Sequence, residues 1–178
     1  SINYTRQDRI DGQKDLSLPF CKNSDRIKGR GRCKRDGGKT MKIVETVEEV
    51  RAQVKAWRKE GFSVGLVPTM GFLHEGHKSL IDRAVAENDK VVVSVFVNPM
   101  QFGPKEDLAS YPRDLDRDAA LCEDAGVALI FHPQPSEMYH DDFSSFVDMS
   151  TLTGGLCGKT RPIHFRGVCT VVSKLFNI

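Results

Sequence analysis

The chain has 178 residues, 39% of them hydrophobic and 28% charged, with a net charge of +2. This composition is ordinary for a globular domain and excludes low-complexity and collagen-like classes. No stretch approaches the roughly 18 apolar residues of a membrane span, and the N-terminus lacks the apolar middle of a secretory signal, so a cytoplasmic protein without a membrane partner is expected.

The small net charge hides a split. Residues 1–40 hold 11 Lys/Arg against 5 Asp, a net +6, whereas residues 41–178 hold 15 Lys/Arg against 19 Asp/Glu, a net −4. The basic segment, including "KGRGRCKRDGGKT", has few apolar residues and no helical or strand period, and is expected to be a disordered tail. One reading makes it a nucleic-acid-binding arm. The favoured one makes it a leader, a vector-derived segment or a misassigned start before a native Met41, because the acidic body offers no basic face to continue an arm, which makes nucleic acid an unexpected partner. Five cysteines, an odd count without a CxxC pair, argue against a zinc site and a disulfide framework, leaving reduced thiols.

From Met41 the pattern is regular. Thr46 followed by Glu49 forms a capping-box signature, Val47, Val50, Val54 and Trp57 recur at helical spacing, and Gly61 supplies a stop. "SVGLVP" (63–68) and "VVVSVFV" (91–97) are short valine-rich runs, as expected of strands buried on both faces of a parallel sheet. Between them "HEGHKSLIDRAVAEND" reads as a helix with Leu80, Ile81, Ala84 and Val85 inward. The alternation repeats with a helix over "PRDLDRDAALCEDAG", carrying Leu115, Ala119 and Cys122 on one stripe and Gly126 at its end, and with the strand "VALIF" (127–131). "FSSFVDM" (143–149) reads as a further, more exposed strand, and "FRGVCTVVSKLFNI" as a helix despite its β-branched residues, with a short strand as the weaker alternative. The fold class is therefore α/β, a Rossmann-like parallel sheet with flanking helices over residues 41–178.

Ligands of such sheets bind at the carboxyl ends of the strands. "PTMGFLHEGHKSL" sits at such an end, where the following helix turns its unpaired N–H groups towards the crevice and favours a phosphate. His74 and His77, three apart, share one face of the first turn, while Gly71 and Gly76 let the backbone approach closely. The spacing is not that of an HExxH zinc site, and neither GxGxxG nor a P-loop is present. On the residues alone, a phosphate-binding pair and a pair of solvated surface histidines both remain open. In "VFVNPMQFGP", Asn98 and Gln101 offer uncharged hydrogen-bonding groups suited to a hydroxy acid beside a nucleotide, or Asn98 and Pro99 merely make a turn. "RPIHFRG" brings Arg161, His164 and Arg166 to a loop that opens a helix. Asp114, Asp116 and Asp118 read as a solvated helix start rather than a metal cluster, "EMYHDD" as a surface turn, and Cys157 and Cys169 as small packing residues.

The stretches "VPTMGFLHEGHKSLIDRA", "VSVFVNPMQFGPKEDLASYPRDLDRD" and "CGKTRPIHFRGVCTVVSKLFNI" together resemble the pantoate–β-alanine ligases of the HxGH nucleotidyltransferase superfamily, without a break from about Met41 to Ile178. The resemblance implies a two-step ligation in which pantoate attacks Mg-ATP to give pantoyl adenylate and pyrophosphate, and β-alanine then displaces AMP. It implies that His74 and His77 stabilise the phosphates and that Met70, Gly71 and Gly76 border the nucleotide, Met70 also reaching pantoate. It further implies that Gln101 and Asn98 hold pantoate and that His164, with Arg161, lies towards pantoate and β-alanine. ATP with Mg2+ is the expected co-substrate, no metal is expected on side chains, and a homodimer is expected, with "FSSFVDMSTLTG" as the suspected contact. The family usually has glycine where this chain has Ile163. The family also continues past "KLFNI" with a strand, a lysine- and aspartate-bearing segment and a small C-terminal domain, so the chain is expected to be a fragment that turns over slowly or not at all. Another HxGH nucleotidyltransferase, or a non-catalytic nucleotide-binding fragment, is the alternative.

Overall fold

A computed structural model describes residues 41–103, 108–149, 153, 161 and 163–178. The expected disordered tail, residues 1–40, and Cys157 lie outside them.

The described chain runs β1 (Lys42–Val44), α1 (Val47–Lys59), β2 (Val64–Thr69), α2 (Glu75–Glu87), β3 (Lys90–Val95), a 3-10 turn (Pro99–Gln101), α3 (Leu115–Ala125), β4 (Leu129–Phe131), the short α4 (Pro135–Met138) and α5 (His164–Phe176). The four strands form one sheet in the order β1-β4-β3-β2, with every neighbouring pair parallel. The α/β expectation holds. The strand β1 has no counterpart among the expected elements, since three residues directly before a helix cap carry too short a pattern to be seen.

Alternation along β3 builds the three layers. Val91, Val93 and Val95 join Ile81 of α2 and Cys122 of α3 in one apolar cluster, whereas Val92 and Phe96 join Val50 and Trp57 of α1 and Val171 and Leu175 of α5 in the other. Complete burial of an aliphatic side chain such as Ile81 contributes about 1.5–3 kcal/mol. The helix limits follow local chemistry. Thr46 and Glu49 make the expected reciprocal cap at the start of α1, and Gly126, with φ 87°, closes α3 in the left-handed conformation.

Three expectations are corrected. Leu80 faces solvent at 59% exposure, because the buried stripe of α2 is Ile81, Ala84 and Val85 and the preceding residue sits about 100° round the helix. The strand β2 is not buried on both faces. It is a sheet edge among the described residues, and Pro68, which has no N–H to pair, is exposed on it. Residues 143–149 join no ladder; instead the Val147 N–H donates to the Thr170 hydroxyl, which ties the segment to α5.

Candidate functional site

The site grows from the carboxyl ends of β2 and β3. The Thr69 hydroxyl donates to the Ser94 carbonyl at 2.7 Å, and the Phe96 N–H donates to the Thr69 carbonyl at 3.1 Å, which fastens the two strand ends together. The chain then reverses through Gly71 and Phe72, both left-handed with φ 84° and 50°. A phenylalanine in that region is disfavoured by the clash of its Cβ with the backbone. What holds it is Asp118, reached from α3. The Phe72 N–H donates to Oδ2 and the Leu73 N–H to Oδ1, each at 2.7 Å.

Out of this turn comes His74, the N-cap of α2. Its Nδ1 accepts from the Gly76 N–H at 3.1 Å, while Nδ1 of His77 accepts from the N–H of His74 at 3.4 Å. Two imidazoles thus play the reciprocal parts that Ser or Thr and Glu play in an ordinary capping box. Their rings stack 4.0 Å apart, tilted by 39°. A ring nitrogen that accepts cannot carry a proton, so both rings are assigned as neutral Nε2–H tautomers, each with one N–H to offer. Burial, then the neighbouring His74, hold His77 below the ordinary imidazole value, which agrees with a neutral ring. Gly76 is needed for closeness, since a Cβ there would lie 2.9 Å from Cε1 of His74.

Behind His77 opens a cleft of about 330 Å³, lined by Met70, His77, Phe96, Gln101 and Tyr111 and by the apolar face of α5. Gln101 stands in its wall with Nε2 3.4 Å from Sδ of Met70. Its carboxamide is set by Asn98, which is fully buried and saturated: Nδ2 donates to Oε1 of Gln101 and to the Gly167 carbonyl, and Oδ1 accepts from the Met100 N–H and the Tyr139 hydroxyl. Asn98 therefore lies behind the wall and has no hydrogen-bonding capacity left over, so its place in the structure is that of a support for Gln101. Burial pushes the Tyr139 phenol up to about 12, which keeps its O–H a donor.

The third motif meets the second at one atom. Nη2 of Arg161 donates to the Gln101 carbonyl at 3.2 Å, and Nδ1 of His164, the first residue of α5, lies 3.3 Å from the same oxygen. A carbonyl only accepts, so His164 donates from Nδ1 in this contact, whereas His74 and His77 accept at theirs. Ile163 is 42% exposed, so the bulky residue in the family's glycine position stands in solvent. Arg166 is set apart, its guanidinium stacked 3.9 Å over the Phe146 ring.

The structure thus brings Met70, His77 and Gln101 to one cleft, with the His74 ring stacked on that of His77, and puts Gly71 and Gly76 in the turn and helix cap beside it. Asp118 reverses its sequence reading: Asp114 and Asp116 are solvent-exposed, Asp114 capping α3, whereas Asp118 is 1% exposed. Tyr139 carries no local signal, because the partner of its hydroxyl, Asn98, lies 41 residues away, and nothing in the segment around Tyr111 shows that it lines the cleft. His140, Asp141 and Asp142 are exposed, as a surface turn requires. Cys122 is fully buried and its thiol is pushed up to about 12 by burial, then by Asp118, which leaves it inert. Among the described residues no group of three His, Cys, Asp or Glu is placed to hold a metal ion, and none of the helices is long and apolar enough to cross a membrane.

A parallel α/β sheet that presents a His-x-Gly-His helix cap at the carboxyl end of an edge strand has the HxGH arrangement, at the place where open α/β sheets take their ligands. The pantoate–β-alanine ligase family model matches residues 42–178. The pantothenate synthetase of Clostridium acetobutylicum is 63% identical over 138 residues, 78% of this chain and 49% of the relative, and that of Enterococcus faecalis is 65% identical over the same shares. Among solved structures, pantothenate synthetase from Thermus thermophilus superposes with a TM-score of 0.69 at 51% identity, covering 76% of this chain and 48% of that one. Pantoate–β-alanine ligase from Francisella tularensis, solved with β,γ-ATP and β-alanine, superposes with a TM-score of 0.72 at 38% identity, covering 77% and 52%. This chain belongs to the pantoate–β-alanine ligase family, and it spans about half the length of the curated relatives it matches.

Proposed function

We propose that residues 41–178 form the nucleotide- and pantoate-binding half of an ATP-dependent ligase that joins pantoate to β-alanine. In the first step a pantoate carboxylate oxygen attacks the α-phosphorus of ATP, the bond to the bridging oxygen breaks, and pyrophosphate leaves. In the second the β-alanine amine attacks the acyl carbon, loses a proton, and AMP departs with its oxygen. Both steps join groups that repel or diffuse apart in water, so the demand on the protein is positioning and charge stabilisation.

The observation that carries this reading is the pair of neutral histidines whose Nδ1 atoms cap α2, leaving two Nε2–H donors at the positive end of the helix. In this reading the two donors meet the phosphate oxygens as negative charge builds on the leaving pyrophosphate. Gly71 and Gly76 keep the backbone close, Met70 borders nucleotide and pantoate, and Gln101 donates to pantoate from the cleft wall with Asn98 fixing its amide. His164 and Arg161 bind at the β-alanine side, oriented through the Gln101 carbonyl. In this reading Mg2+ would arrive bound to the phosphate oxygens of ATP, as the MgATP substrate. The family's homodimer and cytoplasmic setting extend to this chain in the same proposal, with residues 143–149, whose Phe146, Val147 and Met149 are exposed, as the contact.

Titrating the chain with MgATP, MgCTP and pantoate, read by the NMR signals of His77 and Gln101, tests the assignment. Saturable binding of ATP over CTP, strengthened by pantoate, is expected. Preference for CTP or indifference to pantoate would move the chain to another nucleotidyltransferase, and no binding of any of the three would contradict the reading.

A further inference from the structure

The residue that holds the turn ahead of the histidine pair is not a member of the motif. Asp118 is 1% exposed and belongs to α3, 41 positions beyond His77 in sequence, yet both its oxygens are engaged by the turn that delivers α2. Its carboxylate sits in the first turns of α3, where the helix dipole favours negative charge, and the two amides supply the hydrogen bonds that a buried charge requires. The charge reaches the site: it pulls His77 upward against burial and the His74 ring, and adds to the upward push on Tyr111. Beyond its two bonds to Asp118 the turn is anchored by the Leu73 side chain, fully buried in the cluster with Ile81 and Val95. Gly71 reaches only the Thr69 hydroxyl, at 3.3 Å, and Phe72 occupies a conformation unfavourable to its side chain. Exposed Phe72 is covered on one side by Arg117, the neighbour of Asp118, whose guanidinium lies 4.7 Å from the ring centre. Two residues of one helix thus hold the turn, one by its backbone and one by its side chain.

We propose that Asp118 is a positioning residue of the nucleotide site, clamping the Phe72 and Leu73 amides so that His74 and His77 are presented in their capped, Nε2–H state. This rests on the reading of the cleft as a nucleotide site. Asparagine at 118 keeps the shape and one acceptor but turns an N–H donor towards one of the two amides, so the clamp cannot close on both. The consequence passes along the chain: a loosened turn frees the His74 backbone, and with it the N–H that fixes the His77 tautomer.

The test compares the full chain with its Asp118→Asn variant by nitrogen-15 NMR, first without ligand. In the wild-type protein the Phe72 and Leu73 amides are expected far downfield and protected from exchange, and both imidazoles as a single Nε2–H tautomer. In the folded variant, exchange of those amides rises about tenfold or more, since charge-assisted bonds are lost, and the imidazole signals average between tautomers. A folded variant that keeps both tautomers and both amide shifts overturns the proposal, even if it unfolds at a lower temperature, because that is all a purely structural role would move. Should the variant not fold, the wild-type spectrum decides alone: rapid exchange at both amides overturns the proposal and slow exchange supports it. MgATP is then added. A dissociation constant raised roughly tenfold or more in the variant supports the positioning role, and an unchanged one overturns it. Failure of the wild-type chain to bind MgATP counts against the proposed function, while the ligand-free comparison still decides whether Asp118 sets the histidine pair.

Discussion

Gly167 offers the sharpest stability test, because it is where α5 meets the turn that carries Gln101. A Cβ added there would lie 2.3 Å from the Met100 carbonyl oxygen, 2.6 Å from its carbon and 2.8 Å from the Gln101 nitrogen. All three are backbone atoms, so no side chain can swing aside. Reaching even 3.0 Å from that oxygen requires the helix and the turn to separate by about 0.7 Å, the difference between 3.0 and 2.3 Å. That movement stretches the 3.1 Å bond from Asn98 Nδ2 to the Gly167 carbonyl. Overpacking of a close contact costs about 1–3 kcal/mol, and a weakened buried hydrogen bond about 1 kcal/mol more, against which better helix propensity returns about 1 kcal/mol. Gly167→Ala is therefore expected to lose about 1–3 kcal/mol in urea unfolding, with the NMR signals of Gln101 and Asn98 displaced. A variant as stable as the wild type, or one with the Gln101 signals unmoved, would refute the idea that this glycine sets the cleft wall.

Gly76→Ala pushes a methyl against the His74 ring and is expected to break its cap, costing about 1 kcal/mol of stability and weakening nucleotide binding; circular dichroism with ATP titration checks both. Tyr139→Phe removes one of the two donors to Asn98 Oδ1 and is expected to cost about 1–2 kcal/mol in urea unfolding, with the cleft otherwise intact. His77, held below 6.5 in the folded protein, binds protons more readily when unfolded. Its contribution is therefore fully present above pH 6.5 and is lost as pH falls through the depressed folded value. Urea unfolding of wild type and His77→Gln across that window should show a steeper fall for the wild type; parallel curves would contradict the neutral-ring assignment.

Much of this is legible from local pattern. The helices α1, α3 and α5 and the strand β3 follow apolar periods of their own residues, and the histidine pair announces itself by spacing and position. What stays hidden depends on partners distant in sequence. Asp118 shares an alternating charge run with Asp114 and Asp116, and nothing local says that its helix turns it inward onto amides 45 and 46 residues earlier. Asn98 reads as a ligand residue because an amide suits a hydroxy acid; its burial follows from the Gly167 carbonyl and the Tyr139 hydroxyl, 69 and 41 residues away. Leu80 misleads because a leucine beside isoleucine widens the apparent stripe, and residues 143–149 alternate like a strand although the Thr170 hydroxyl, rather than a ladder, takes the Val147 N–H.

The most direct measurement is a calorimetric titration of the chain with a non-reactive pantoyl-adenylate analogue, beside a variant carrying His74→Ala and His77→Ala. The account expects saturable one-to-one binding by the wild-type chain and its loss in the variant, with both proteins folded. Equal binding by the two, or none by a folded wild type, would contradict the claim that the histidine-capped helix and the Gln101 wall form a working half-site.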